Sequence, residues 1–219
     1  MDYSPLIVSL KTAFIATIII FFTGIYAAYF VVKLKKFKGI IDGIFTLPLV
    51  LPPTVIGFFL LLILGRNSFF GQFLLNFNIT IVFSWTATVI SATVVAFPLM
   101  YRTARGAFEQ IDSNLIYAAR TLGMSESKIF WRIIIPNAWS GIAAGTILSF
   151  ARALGEFGAT IMIAGNIRGK TQTMSTAVYS AVQAGDNQSA FKWVAIILII
   201  SFSTIITMNH WTNKQAKGK

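Results

Sequence analysis

Tyr117-Ala118-Ala119-Arg120-Thr121-Leu122-Gly123, followed after nine residues by Ile133-Ile134-Ile135-Pro136, is a basic, mostly polar island between long apolar runs. Its alanines favour helix, and its glycine permits a left-handed bend. Ser125 stands where a second helix would be capped, and Pro136 is expected to stop that helix. This is the pattern of a projecting, docking element rather than a membrane span. The chain is expected to leave the membrane for about 35 residues, over 102–136.

Around the island the composition is that of a bilayer protein. Of 219 residues, 56% are hydrophobic and 11% charged, whereas soluble domains are about a quarter charged. Five runs are long enough to cross as helices, over about 6–32, 44–64, 79–101, 138–164 and 193–211. The expected fold is an all-α integral membrane bundle of about five transmembrane helices forming a single domain over 1–219, with a projecting cytoplasmic helix. No basic n-region precedes the first run, so it is read as an uncleaved span. Lys11 lies near its outer end, where it can snorkel. Lys33, Lys35, Lys36, Lys38, Arg102, Arg105, Arg120, Lys128, Arg132, Lys214, Lys217 and Lys219 fall on one side. Lys11, Arg66, Arg168, Lys170 and Lys192 fall on the other. Twelve basic residues against five put the first side in the cytoplasm, the N-terminus outside and the C-terminus inside.

Several chemistries drop out. There is no cysteine and one histidine, His210, so a thiolate or histidine metal site is not expected. The seven acidic residues are scattered, and no nucleophile–base pair occurs, so no catalytic residue is named. The net charge of +11 sits in short loops between apolar runs, which points to membrane topology rather than nucleic acid.

Some features carry two readings. Pro48, Pro52 and Pro53 open the second run, either as a kinked helix within a bundle or as a broken helix beside a pathway. Gly141 and Gly145 have the small-xxx-small spacing of close helix approach. Arg152 and Glu156, four apart inside a span, form either a polar lining or gate, or a structural ion pair within the helix or across a dimer. Thr54 and Thr160, with Thr46, Ser91 and Thr93, are hydroxyls suited to a transient path or to backbone bonding. Gly165-Asn166-Ile167-Arg168-Gly169-Lys170-Thr171 has three residues between its glycines where a P-loop needs four, and it follows an apolar helix, so it is not read as a nucleotide site. Asn166, Arg168 and Lys170 there are candidates for an anion or partner contact, or belong to a solvated turn. Residues 173–183 read as a short helix at the outer interface or plugged partway into the bundle.

The island's spacing resembles the signature of permease subunits of binding-protein-dependent ABC importers: two alanines, a glycine four further on, then hydrophobic-x-hydrophobic-proline. Ala118, Ala119, Gly123, Ile133, Ile135 and Pro136 fill those positions, with Tyr117 where a glutamate usually stands. Leu47-Pro48-Leu49-Val50-Leu51-Pro52-Pro53-Thr54-Val55, Phe83-Ser84-Trp85 and Ser149 to Thr160 look like the molybdate permease family, and Ala164 to Thr173 continues the match. Tungstate and sulfate/thiosulfate permeases share much of it. The resemblance implies a homodimer in the cytoplasmic membrane, two cytoplasmic ATPase subunits that bind the ATP and Mg, and an extracytoplasmic molybdate-binding protein. No cofactor is implied for this chain itself. The region from Ala118 to Ser125 would be the coupling helix, and transport would proceed by alternating access. Two other classes compete: an ATPase-independent channel or scaffold, which leaves the projecting segment unexplained, and an intramembrane enzyme using Glu156, which lacks a partner base.

Overall fold

The computed structural model describes residues 2–216, with side chains described to residue 207. Lys217 and Lys219, counted with the cytoplasmic side, lie outside the described residues, and the side chains of His210, Trp211 and Lys214 are not described. Every regular element among the described residues is helical.

The bundle is organised on α5 (Trp85–Glu109), with α1 (Ser4–Lys33) along one flank and α8 (Ile135–Leu154) along another. At 1.5 Å per residue, α1 is about 45 Å long, more than a hydrocarbon core of about 30 Å requires. Lipid tails are as apolar as leucine, so close packing rather than water exclusion holds such helices together. Small residues permit it. A Cβ on Gly24 of α1 would lie 2.7 Å from Met100 Cγ of α5, and one on Gly141 of α8 would lie 2.5 Å from Ala107 Cβ. Gly145 sits against Thr103 in the same seam. Buried hydroxyls add cross-links: Thr12 and Thr88 are 2.9 Å apart, and Ser9 Oγ accepts the Met174 N–H at 2.8 Å.

The run expected at 44–64 is two helices, α2 (Lys38–Val50) and α3 (Pro53–Leu64), meeting at 113°. Pro52 and Pro53 have no N–H to carry the ladder across Leu51, and Pro53 instead starts a new helix at its first position. Of the two proline readings, the break is the one observed. A seven-residue helix, α4 (Phe69–Leu75), follows. The run expected from 79 begins as helix only at Trp85. Phe83 is left-handed (φ 58°), and Ser84 caps α5 by accepting the Ala87 N–H. That helix then continues past 101 to Glu109.

The excursion expected over 102–136 is therefore shorter. Between α5 and the next long helix lies α6 (Ser113–Thr121) with its turns. From α7 (Glu126–Ile129) the chain runs through a π-helical turn, Phe130–Ile134, straight into α8. Pro136 does not stop this helix. The π turn shifts the bonding to Ile135 N–H→Phe130 C=O, one position wider than α, just before the proline enters at the start of α8. The run expected at 138–164 is also broken. Helix α8 ends at Leu154, and α9 (Gly158–Ala164) starts anew after Gly155-Glu156-Phe157.

Helix α10 (Met174–Gln183) has a reciprocal Thr173/Thr176 capping box and turns Met174, Thr176 and Ala177 inward, so it inserts partway into the bundle. Its Tyr179 and Val182 are exposed. The last helix, α11 (Asn187–Ala216), begins before the expected 193 and leans on α10 and α8. Only 11% of its apolar stretch is buried, against 61% for α5, which makes α5 the axis and α11 the rim.

Candidate functional site

Two helix breaks come together. A Cβ on Gly57 of α3 would lie 2.8 Å from Ala159 Cα and 2.9 Å from its carbonyl oxygen on α9. One on Gly158 would lie 3.0 Å from Pro53 Cβ and 3.2 Å from Thr54 N. The Pro52-Pro53 break thus sits against the Gly155–Phe157 break, and α3 and α9 cross backbone to backbone.

Glu156 lies in the second break and is 2% exposed. Its Oε1 accepts the Ala159 N–H at 2.8 Å, satisfying a donor at the start of α9. Arg152 Nη1 stands 2.7 Å from Oε2, but at an angle outside hydrogen-bond geometry, so the contact is between charges. The pair lies within the chain, at i and i+4. Thr160 is buried and 2.9 Å from Ser91 Oγ. Ser91 spends its own proton on the Thr88 carbonyl, which leaves Thr160 as the donor. Thr54 is exposed at the start of α3. Of the four candidates, Glu156 and Thr160 face protein, Arg152 is partly exposed, and Thr54 faces out. Thr46 donates to the Asp42 carbonyl, a backbone use, and Thr93 Oγ1 is buried without a partner.

The α6 hairpin is built from local chemistry. Asp112 Oδ1 accepts the Asn114 N–H at 2.9 Å and starts the helix. At its end, Met124 N–H bonds Ala119 C=O at 3.1 Å and Gly123 N–H bonds Arg120 C=O at 2.9 Å. With Gly123 at φ 73°, this is a Schellman close that a side chain with a Cβ enters only under strain. Ser125 Oγ then accepts the Lys128 N–H at 3.4 Å. The paired alanines divide the work: Ala119 is buried against the bundle and Ala118 is exposed. Leu122, at the tip, is 82% exposed, and Leu115 and Tyr117 are exposed beside it. Ile133 and Ile135 are half-buried at the root, and Pro136 is exposed there.

Charges brace the hairpin. Arg120 Nε and Nη2 donate to the two Glu126 oxygens at 2.7 and 3.2 Å, and Glu126 also draws Lys33 to 3.5 Å. The hydrogen bond to Glu126 raises the Arg120 pKa. At the same end, a network unmarked in the sequence ties α2 to α5. Lys38 Nζ donates to Glu109 Oε1 at 2.8 Å, Arg105 Nε donates to the same oxygen at 3.0 Å, and Tyr101 OH donates to Asp42 Oδ1 at 2.9 Å. Arg105 also bonds Asp42. Only the i,i+4 spacing of Arg105 and Glu109 signals it; Asp42 and Lys38 lie 63 and 71 positions from their partners.

The loop after α9 disperses its three candidates. Asn166 Nδ2 donates to Ser180 Oγ. Arg168 shares a cavity wall with Asp2, whose carboxyl is held low mainly by hydrogen bonds from Ser4 and further by Arg168. Lys170 faces another cavity, with Arg66. The three do not converge. Among the described residues no cluster of metal-ligating side chains occurs.

Residues 10–211 match the family described as binding-protein-dependent transport system inner membrane component. Among similar proteins, the putative molybdenum transport system permease protein YvgM of Bacillus subtilis is 45% identical over 91% of this chain and 89% of its own length. The molybdenum transport system permease protein ModB of Escherichia coli K12 is 39% identical over 96% of this chain and 93% of its own. The sulfate transport system permease protein CysT of Salmonella typhimurium is 32% identical over 92% and 73%. Among solved structures, the inward-facing MetNI methionine ABC transporter superposes with a TM-score of 0.75 at 14% identity, covering 96% of this chain and 94% of that one. The broken spans, the projecting hairpin and the match along nearly the whole chain lead to one assignment: this chain belongs to the family of inner membrane components of binding-protein-dependent transport systems.

Proposed function

We propose that this chain is the permease subunit of an ATP-driven importer of molybdate, acting as a homodimer with two cytoplasmic ATPase subunits and an extracytoplasmic binding protein. The observation that carries the substrate is the relatives: those named for molybdenum transport stand at 45% and 39% identity over about nine-tenths of both chains, ahead of the sulfate permease at 32%.

The α6 hairpin is the seat of the ATPase. Its exposed Leu122 and Ala118 make an apolar tip that a groove would cover, and the Schellman turn and Glu126 clamp make the tip stiff enough to transmit a push. ATP and Mg are held by the partner, and their turnover draws the two hairpins of the dimer together. The crossing of α3 and α9 is the element that responds, since two interrupted helices hinge where a continuous one would not. Thr54 and Arg152 meet the dianion, while Glu156 offsets the arginine so that the ion finds no deep trap. Asn166, Arg168 and Lys170 face the binding protein from separate positions on the outer side.

The test is the molybdenum, tungsten and sulfur content of cells with and without this chain at limiting supply. Loss of molybdenum is the expected result. Loss of sulfur in its place moves the substrate to sulfate, and loss of tungsten alone moves it to tungstate. Uptake that persists without any ATPase subunit would refute the importer reading.

A further inference from the structure

At the end of the bundle opposite the α6 hairpin, a cavity of about 480 Å³ opens between α3, α4 and the 79–83 turn. That is within the range of about 300–1,000 Å³ typical of small-ligand sites. Its walls are mainly apolar, from Leu61, Leu74, Ile81 and Phe83, and its polar part comprises two cations, Arg66 and Lys170. No acidic residue lies among them, because the sequence has none between Asp42 and Glu109 or between Glu156 and Asp186. Among the described residues neither cation has an ion pair, a side-chain hydrogen bond or an aromatic face. Lys11, by contrast, lies 4.3 Å over the Trp85 ring.

The walls are held in place. Ser68 Oγ accepts the Gly71 N–H at 2.8 Å, and Gly71 is pressed against the Gly65 carbonyl, which pins α4 to the end of α3. Phe83 N–H donates to Ile163 C=O at 3.1 Å, and its ring covers Gly165. Helix α4 supplies one wall and also carries Phe69, 87% exposed, with Phe70 and Phe73 exposed beside it. A short helix with such a face lies in the bilayer interface.

We propose that this pocket binds the headgroup of an anionic phospholipid, with its phosphodiester on Arg66 and Lys170 and its first acyl carbons on the leucine and phenylalanine walls. The chemistry selects this occupant. A hydrated inorganic oxyanion has no use for the apolar walls. A zwitterionic lipid brings a cation that finds no carboxylate. An anionic amphiphile uses both surfaces. The site is independent of the transported substrate.

The test uses the full chain, purified in mild detergent with phosphatidylglycerol or phosphatidylcholine, and native mass spectrometry to count retained lipid. Phosphatidylglycerol should stay bound through detergent washing, and Arg66→Gln with Lys170→Gln should reduce its retention about tenfold or more. Phosphatidylcholine should show no such dependence. An unchanged thermal transition of the double variant in lipid-free detergent shows that it is folded. Equal retention by wild type and variant, or equal retention of the two lipids, overturns the proposal. So does displacement of the lipid by inorganic molybdate, which would make this a free-oxyanion site.

Discussion

Replacing Glu156 by alanine removes two interactions at once. One is the hydrogen bond that caps α9, worth about 1–2 kcal/mol once Ala159 N–H is left buried. The other is the charge contact with Arg152 at 2.7 Å, where Coulomb attraction is about 6 kcal/mol at an effective dielectric of about 20. Most of that is consumed by desolvation, and Arg152 retains 32% exposure, so the net coupling should be about 1–3 kcal/mol. Glu156→Ala should therefore cost about 3 kcal/mol, an apparent Tm lower by roughly 6–12 °C for a chain of this size. Glu156→Gln keeps the cap and should lose about half as much. Adding Arg152→Ala to Glu156→Ala should cost less than the two singles combined, because neither charge is then stranded. The measurements are the apparent Tm of the purified protein and molybdate uptake in cells. If Glu156→Ala melts as wild type does and the cycle is additive, the pair is not a buried coupled contact and the description of the break is wrong. If Glu156→Gln keeps the Tm but loses uptake, the carboxylate charge acts in transport.

Three further outcomes are expected. Gly123→Val forces a β-branched residue to φ 73°, a strain of about 1–3 kcal/mol confined to the hairpin; ATPase co-purification and uptake should fall while the bundle's Tm moves little. Leu122→Asp changes an 82% exposed tip, so stability should stay within about 0.5 kcal/mol while co-purification with the ATPase subunit is lost; intact co-purification would put the docking surface elsewhere. Gly57→Val places a Cβ 2.8 Å from Ala159 Cα, so α3 and α9 must part at a cost of about 1–3 kcal/mol. Both Tm and uptake should drop, and normal values for both would show that the crossing tolerates separation.

The hairpin was the most legible part of the chain, because its instructions are local. Gly123, Ser125 and the paired alanines lie within a few residues of the groups they bond. The Pro52-Pro53 interruption was visible for the same reason, although its 113° angle was not. The break at Gly155–Phe157 had a signal in its two flanking glycines, masked by the apolar run on either side. The continuity from Glu126 to Leu154 was hidden because proline normally ends a helix, and the π turn that accommodates Pro136 leaves no mark in composition.

The sequence by itself determined that the chain lives in a bilayer, roughly where its helices run, where the docking element projects, and which family of components it resembles. These follow from composition, from run length and from chemistry between near neighbours. Tertiary structure alone decided which breaks meet, that Thr160 turns to Ser91, that Asp42 and Lys38 reach Arg105 and Glu109, and that Lys170 leaves Asn166 and Arg168 to join Arg66. The reason is physical. A soluble helix advertises its inner face by alternating apolar and polar residues, whereas a membrane helix is apolar all round. Which face packs inward is then settled by the shape of small residues such as Gly24, Gly57 and Gly145 against their neighbours, and that shape exists only once the helices are assembled.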